Sequence, residues 1–190
     1  MKIVVIRHGK PNISISKPVN SIEFGESVKA YNDAGIKKAS KPPEDAVKEY
    51  NNCNKIICSD LPRSVESAKL LTPKKQIHQD SLFREVEMPH GTWRTPRLRP
   101  ESWLIIFRIF WIFGYSKNVE SFKDAKQRAK RAAHNLVTFA RKYESVGFVG
   151  HGALNGYIVR ELKKQGWIGP GVLSNKYWSF GIYYLNKTKE

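Results

Sequence analysis

The chain has 190 residues, with 33 Lys plus Arg against 17 Asp plus Glu, a formal net charge of +16. At 41% apolar and 12% aromatic residues it is too rich in core-forming side chains for a disordered basic tail, and a chain this long buries about 70% of its unfolded surface, so one folded domain over 1–190 is expected. Two cysteines, Cys53 and Cys58, cannot build a disulfide framework, no C-x-x-C pair offers a zinc site, and the opening apolar run stops at Arg7-His8, too early for a signal peptide. A cytoplasmic domain with anionic partners or substrates fits these features best.

In chain order, Lys2 to Ile6, Lys55 to Cys58, Gln76 to His78 and Val146 to Val149 are short β-branched runs bounded by polar residues or glycine, which predicts strands. Mixed three- and four-residue apolar spacing predicts helices over Asp33 to Tyr50, Leu61 to Leu71, Ser121 to Tyr143 and Ala153 to Gln165. Tyr177 to Leu185 reads as a closing edge strand. Alternation of strand and helix predicts an α/β fold, a three-layer αβα sandwich around a mostly parallel sheet.

Residues 89–118 break the alternation. Arg94, Arg97 and Arg99 and two prolines precede the aromatic run Trp103 to Phe113, which contains Arg108. The run falls far short of the ~20 apolar residues that span a bilayer. Two readings stay open: a helix that caps the domain, or a lid or interfacial helix in contact with lipid or an apolar substrate.

Ligands of open α/β sheets bind beyond the carboxyl ends of the strands. The first strand is followed by Arg7-His8-Gly9-Lys10-Pro11, the second by Ser59-Asp60-Leu61-Pro62-Arg63, and the run ending at Val149 by Gly150-His151-Gly152. Two histidines and two arginines are thus delivered to one rim. Guanidinium forks match phosphate oxygens and repel a metal cation, while a histidine beside them can act as nucleophile or proton carrier; together they point to metal-free phosphoryl transfer without a cofactor. His78, His90 and His134 lack such placement and read as surface or loop residues, and Cys53 and Cys58 as buried structural thiols.

These blocks resemble the signatures of the histidine phosphatase superfamily, also called the phosphoglycerate mutase-like family, over nearly the whole chain. Arg7-His8-Gly9 resembles its first block, Cys58 to Ala68 the second and Phe148 to Gly152 the block with the second histidine; Asn32 to Ile36, and Glu120 to Phe122 with Arg128, resemble its helix starts. The resemblance implies that His8 is transiently phosphorylated, that Arg7, Arg63 and His151 hold the phosphoryl oxygens, and that a carboxylic acid after the third strand protonates the leaving oxygen. Phe83-Arg84-Glu85 favours Glu85 for that role, whereas the distance to Gly91 favours Glu87; Glu85 is the first choice. Many members carry Glu or Gln and then Thr after the glycine. Here Lys10-Pro11-Asn12 follow, adding a cation and an amide as further candidates for phosphate binding, and hydrolysis rather than mutase chemistry is expected. The substrate is expected to be a small phosphorylated compound or a phosphoprotein, with the aromatics of 89–118 tilting toward a partly apolar one. Specific nucleic-acid binding is not expected, since no reading motif is present. The alternative function is a basic protein that binds an anionic surface, with peripheral membrane contact and a secondary phosphatase site.

Overall fold

In the computed structural model, which describes residues 1–14, 16–171 and 173–185, strands β1 (Lys2–Arg7), β2 (Lys55–Cys58), β3 (Ile77–Gln79), β4 (Ser145–Gly150) and β5 (Phe180–Tyr184) form one sheet in the order β3-β2-β4-β1-β5. The first four run parallel and β5 closes the β1 edge antiparallel. Helices are α1 (Ser21–Asp33), α2 (Glu44–Asn51), α3 (Pro62–Leu71), α4 (Pro100–Ile112), α5 (Phe122–Tyr143) and α6 (Gly152–Lys164), and Ser81–Phe83 forms a 3₁₀ turn. The chain is therefore the expected α/β sandwich.

Both sheet faces are dry, which follows from the period of two along each strand. Ile3 and Val5 of β1, with Val146 and Phe148 of β4, meet Leu136, Val137, Leu154 and Ile158 of α5 and α6. Val4 and Ile6, with Ile56 and Cys58, meet Ala46, Tyr50, Ala68 and Leu71 of α2 and α3 on the other side. The long α5 buries a stripe of alanines flanking Leu136 and Val137 and turns its Lys and Arg side chains outward. Both cysteines are buried, and burial pushes the thiols up, Cys53 to about 11 and Cys58 to about 12.

The chain departs from expectation between the first two strands. The helix predicted over Asp33 to Tyr50 is confined to α2, because Pro42 and Pro43 remove two backbone donors and force an extended entry, and Pro43 serves as the N-cap. The residues ahead of Asp33, which lie outside every predicted element, form α1. Its start is a capping box: Asn20 Oδ1 accepts the N–H of Ile22 and Glu23, and the Glu23 carboxylate accepts the N–H of Asn20. The Asn32 to Ile36 block therefore ends a helix and begins the following loop.

Residues 89–118 contain α4, entered through Pro100 at its first turn. Trp103 and Phe107 pack with Phe24 of α1 and with Met88 in a third, smaller apolar cluster. Trp111 reaches the main core, and its indole N–H donates to the Glu120 carbonyl at 2.8 Å. The capping reading thus describes one face of the helix; another is open to solvent. No helix among the described residues is long and apolar enough to cross a membrane.

Candidate active site

The register of the sheet assembles the site. Arg7 and Gly150 are paired at the carboxyl ends of β1 and β4, and the His8 N–H donates to the Gly150 carbonyl at 3.1 Å. Asn155 of α6 ties the two ends together: its amide donates to the Ile6 carbonyl at 3.0 Å, and its Oδ1 accepts the His151 N–H at 3.1 Å. The His8 and His151 rings come to 5.0 Å between centroids, both buried.

His8 is held as one tautomer. Arg63 Nε lies 3.3 Å from His8 Nε2, and a guanidinium can only donate, so Nε2 is the acceptor and the proton sits on Nδ1, which donates to the Gly9 carbonyl at 2.7 Å. Burial, then the charges of Arg63 and Arg7, drive the imidazole down to about 3. His8 is thus neutral at physiological pH, with its Nε2 lone pair toward the guanidinium. His151 is pushed well below its usual value by burial first and by Arg63 second.

Arg63 follows Pro62 in the first turn of α3 and is fully buried. Its Nη1 donates to the Tyr31 carbonyl at 3.0 Å and its Nη2 to Asn32 Oδ1 at 3.3 Å. Tyr31 also lays its ring 4.7 Å from the guanidinium, and Tyr177 does the same for Arg7 at 4.6 Å. Arg7 Nη1 donates to the Asn175 carbonyl. Arg7 Nε and both ring nitrogens of His151, by contrast, are buried with no hydrogen-bond partner among the described residues. Unpaired buried polar groups are costly in a folded protein; of the five such side-chain atoms among the described residues these three lie on the two residues beside His8, the others being Trp167 Nε1 and the Tyr183 hydroxyl.

Glu85 sits at the N-terminus of α6. Its carboxylate accepts the N–H of Leu154 at 3.0 Å, of Ala153 at 3.3 Å and of Val86 at 2.9 Å. Arg128 of α5, paired with Glu120, donates to the carbonyls of Leu82 at 3.0 Å and Arg84 at 2.7 Å and so fixes the segment that carries Glu85. Glu87 is exposed. Arg7, Arg63, Glu85, Glu87, Tyr31 and Tyr177 all line one cavity of about 580 Å³, within the size range of small-molecule sites.

His8 and His151, both buried, are not themselves lining residues of this cavity, and Lys10 and Asn12 do not line it either. Their backbones instead pin the loop after β1: the Lys10 N–H donates to Ser40 Oγ at 2.8 Å and the Asn12 N–H to the Gly35 carbonyl at 2.8 Å. Among the residues that sequence reasoning missed, Tyr31 and Tyr177 carry no recognisable signal, since nothing in their spacing links them to the histidines. Asn155 had one, a polar residue four positions after His151 in an otherwise apolar helix stripe. His78, His90 and His134 stand apart from the cavity. Among the described residues no cluster of three His, Cys, Asp or Glu could hold a metal, and two guanidinium groups beside the histidines make the site unwelcoming to a cation.

The model of the histidine phosphatase superfamily, branch 1, matches residues 3–170. The chain belongs to that superfamily. No curated protein matches its sequence. Solved structures do match by fold: a mycobacterial glucosyl-3-phosphoglycerate phosphatase at 20% identity and TM-score 0.57, over 86% of this chain and 79% of that one; a phosphoserine phosphatase of Entamoeba histolytica in complex with 3-phosphoglyceric acid, at 18% and 0.54, over 86% and 80%; and the product of an open reading frame of Mycobacterium tuberculosis, at 14% and 0.58, over 98% and 92%. These are phosphoglycerate mutase-like folds, the architecture expected from the three sequence blocks.

Proposed function

We propose that this histidine phosphatase superfamily member hydrolyses phosphate monoesters through a phosphohistidine on His8, without a metal. The observation that carries the reading is the clustering of a neutral histidine nucleophile with unpaired donors: His8 Nε2 faces Arg63, while Arg7 Nε and His151 have no partner of their own. The phosphatase names of the solved neighbours support the reaction class.

In this mechanism the phosphoryl group lies between Arg7, Arg63 and His151, whose N–H groups take up the charge that spreads over its oxygens. His8 Nε2 forms a bond to phosphorus as the ester P–O bond breaks. Glu85, protonated, gives its proton to the departing oxygen, and the resulting carboxylate then removes a proton from water. The water oxygen bonds to phosphorus, the P–N bond breaks, and inorganic phosphate leaves with His8 and Glu85 restored. Lys10, exposed on the same loop, adds positive potential near the site, and Asn12 braces that loop.

The test is hydrolysis of p-nitrophenyl phosphate in EDTA by the wild type and by His8→Ala, together with trapping of an acid-labile phosphoprotein. Activity and label are expected in the wild type and lost in the variant. Equal activity in both proteins, or strict dependence on added metal, contradicts the mechanism.

A further inference from the structure

We propose that the substrate is an amphiphilic phosphate monoester taken from an anionic lipid surface on which α4 rests; the inference depends on the phosphate site proposed above and names the class of ester it serves.

The helix has three functional sides. Successive residues turn by about 100°, so Trp103, Phe107 and Trp111 share the face that is buried in the protein, and Leu104 and Arg108 lie on the flank that lines the catalytic cavity. The side beyond that flank carries Ile105, Ile109 and Ile112, all exposed, and Phe113 follows at the C-terminus with 86% of its surface in solvent. A contiguous apolar face of this kind is unusual on a soluble surface and marks a contact.

Charge selects the partner. Arg94 and Arg99 are exposed on the segment entering the helix, where Arg97 is paired with Glu23 at 2.8 Å, and Lys117, which donates to Thr92 Oγ1, is exposed on the segment leaving it, so the apolar face is bracketed in the chain by cations on a protein of net charge +16. An apolar face flanked by basic side chains is the pattern of a helix lying in the headgroup region of an anionic membrane. The cavity supplies the second, independent argument. Its phosphate end is made by Arg7, Arg63 and Glu85, whereas Phe24 and Val28 of α1, Leu104 of α4 and Met88 from the segment before it form an apolar wall. One helix thus contributes both the cavity wall and the exposed face beside it, so a hydrocarbon chain held along Leu104 has a short route from a lipid layer touching Ile105.

The experiment uses the full chain with vesicles of phosphatidylcholine containing about 30% phosphatidylglycerol, dodecyl phosphate incorporated in them, ethyl phosphate as the short ester and p-nitrophenyl phosphate as the soluble control. Wild type is expected to co-sediment with these vesicles and not with pure phosphatidylcholine, and to favour dodecyl over ethyl phosphate by at least about tenfold in kcat/KM. Ile105→Asp with Ile109→Asp, on solvent-facing positions, is expected to lose both properties while p-nitrophenyl phosphate turnover stays within about twofold. Lack of vesicle binding at low salt, equal use of the two alkyl esters, or binding that survives the double substitution overturns the proposal. So does a concentration-dependent dimer abolished by the same substitutions without any vesicle binding, which assigns the face to a second copy of the chain. Failure on p-nitrophenyl phosphate overturns the phosphate-site reading itself; normal turnover of it beside any of the other failures overturns only the lipid inference.

Discussion

Arg63 Nε points at His8 Nε2 across 3.3 Å while its other two nitrogens are occupied by Tyr31 and Asn32. Both the tautomer of the imidazole and the direction of its lone pair follow from that arrangement. Arg63→Lys keeps the charge but loses the planar fork, so it leaves Nε2 without an oriented donor. A fall in kcat of about 10²-fold or more is expected, the size seen when one preorganised donor is removed from a transition state. Steady-state kinetics on p-nitrophenyl phosphate check it; a change confined to KM contradicts the assignment.

Acidification provides a separate check. His8 is lowered to about 3 in the folded protein against 6.5 for an exposed imidazole, so between these values the unfolded chain binds the proton and the native one does not. Stability carried by the neutral ring is therefore complete above pH 6.5 and is lost as pH falls toward 3, at about 1.4 kcal/mol per pH unit for each such histidine. His151 is lowered as well and acts in the same direction. Thermal unfolding from pH 7 to pH 4 is expected to show a smaller loss for His8→Ala than for wild type. The kcat/KM profile should likewise lack an acid limb near pH 6.5 that belongs to His8.

Glu85 and Glu87 both line the cavity, yet only Glu85 is fastened to the start of α6. Glu85→Gln is expected to slow alkyl phosphates by about 10²- to 10³-fold, since an alkoxide needs a proton as it leaves, and to slow p-nitrophenyl phosphate far less. Glu87→Gln should leave the ratio of the two substrates unchanged. A reversed pattern moves the acid by two residues.

Arg128 touches no part of the cavity, but its guanidinium holds the carbonyls of Leu82 and Arg84. Arg128→Ala should loosen the segment bearing Glu85 and so reproduce, more weakly, the leaving-group selectivity of Glu85→Gln. The contrast between alkyl and aryl substrates distinguishes this from a general loss of folded enzyme.

Gly9 lies under packed neighbours. A Cβ there would come within 2.5 Å of the Trp178 ring and 2.9 Å of Ser40 Oγ, too close without movement of the loop that carries His8. Gly9→Ala is expected to cost about 1–3 kcal/mol of stability and at least about tenfold in kcat, measured by denaturant unfolding and by initial rates.

Much of the sheet was legible because buried parallel strands are short β-branched runs bounded by polar residues or glycine, unlike the longer Ile-rich run of α4. β5 is shorter than the Tyr177 to Leu185 run and β3 sits one residue later than expected, small shifts at strand ends. Arg7, His8, Arg63 and His151 could be grouped beforehand because each follows a strand, and the carboxyl ends of parallel strands converge. α1 was hidden: its apolar content is thin, with Phe24 and Val28 facing inward, and the Asn20–Glu23 capping box was its main local signal. α2 was overextended because apolar spacing continued across Pro42-Pro43. The aromatic pair over the arginines could not be foreseen, as Tyr31 and Tyr177 meet the site only through tertiary folding. For 89–118 the sequence left two readings, and α4 satisfies one on its buried face while leaving the other to its exposed one.

The place of β1 has a consequence for biosynthesis. β1, which carries His8 at its end, is made before β4 and β5, yet it lies between them in the sheet, with Ile6 beside Phe180 and Arg7 beside Gly150. The nascent chain must therefore keep β1 waiting, open on one flank until β4 is made and on the other until β5 has been synthesised. Such long-range closure makes folding slow and late. A truncated translation product lacking β5 is expected to expose the β1 edge and never to complete the pocket.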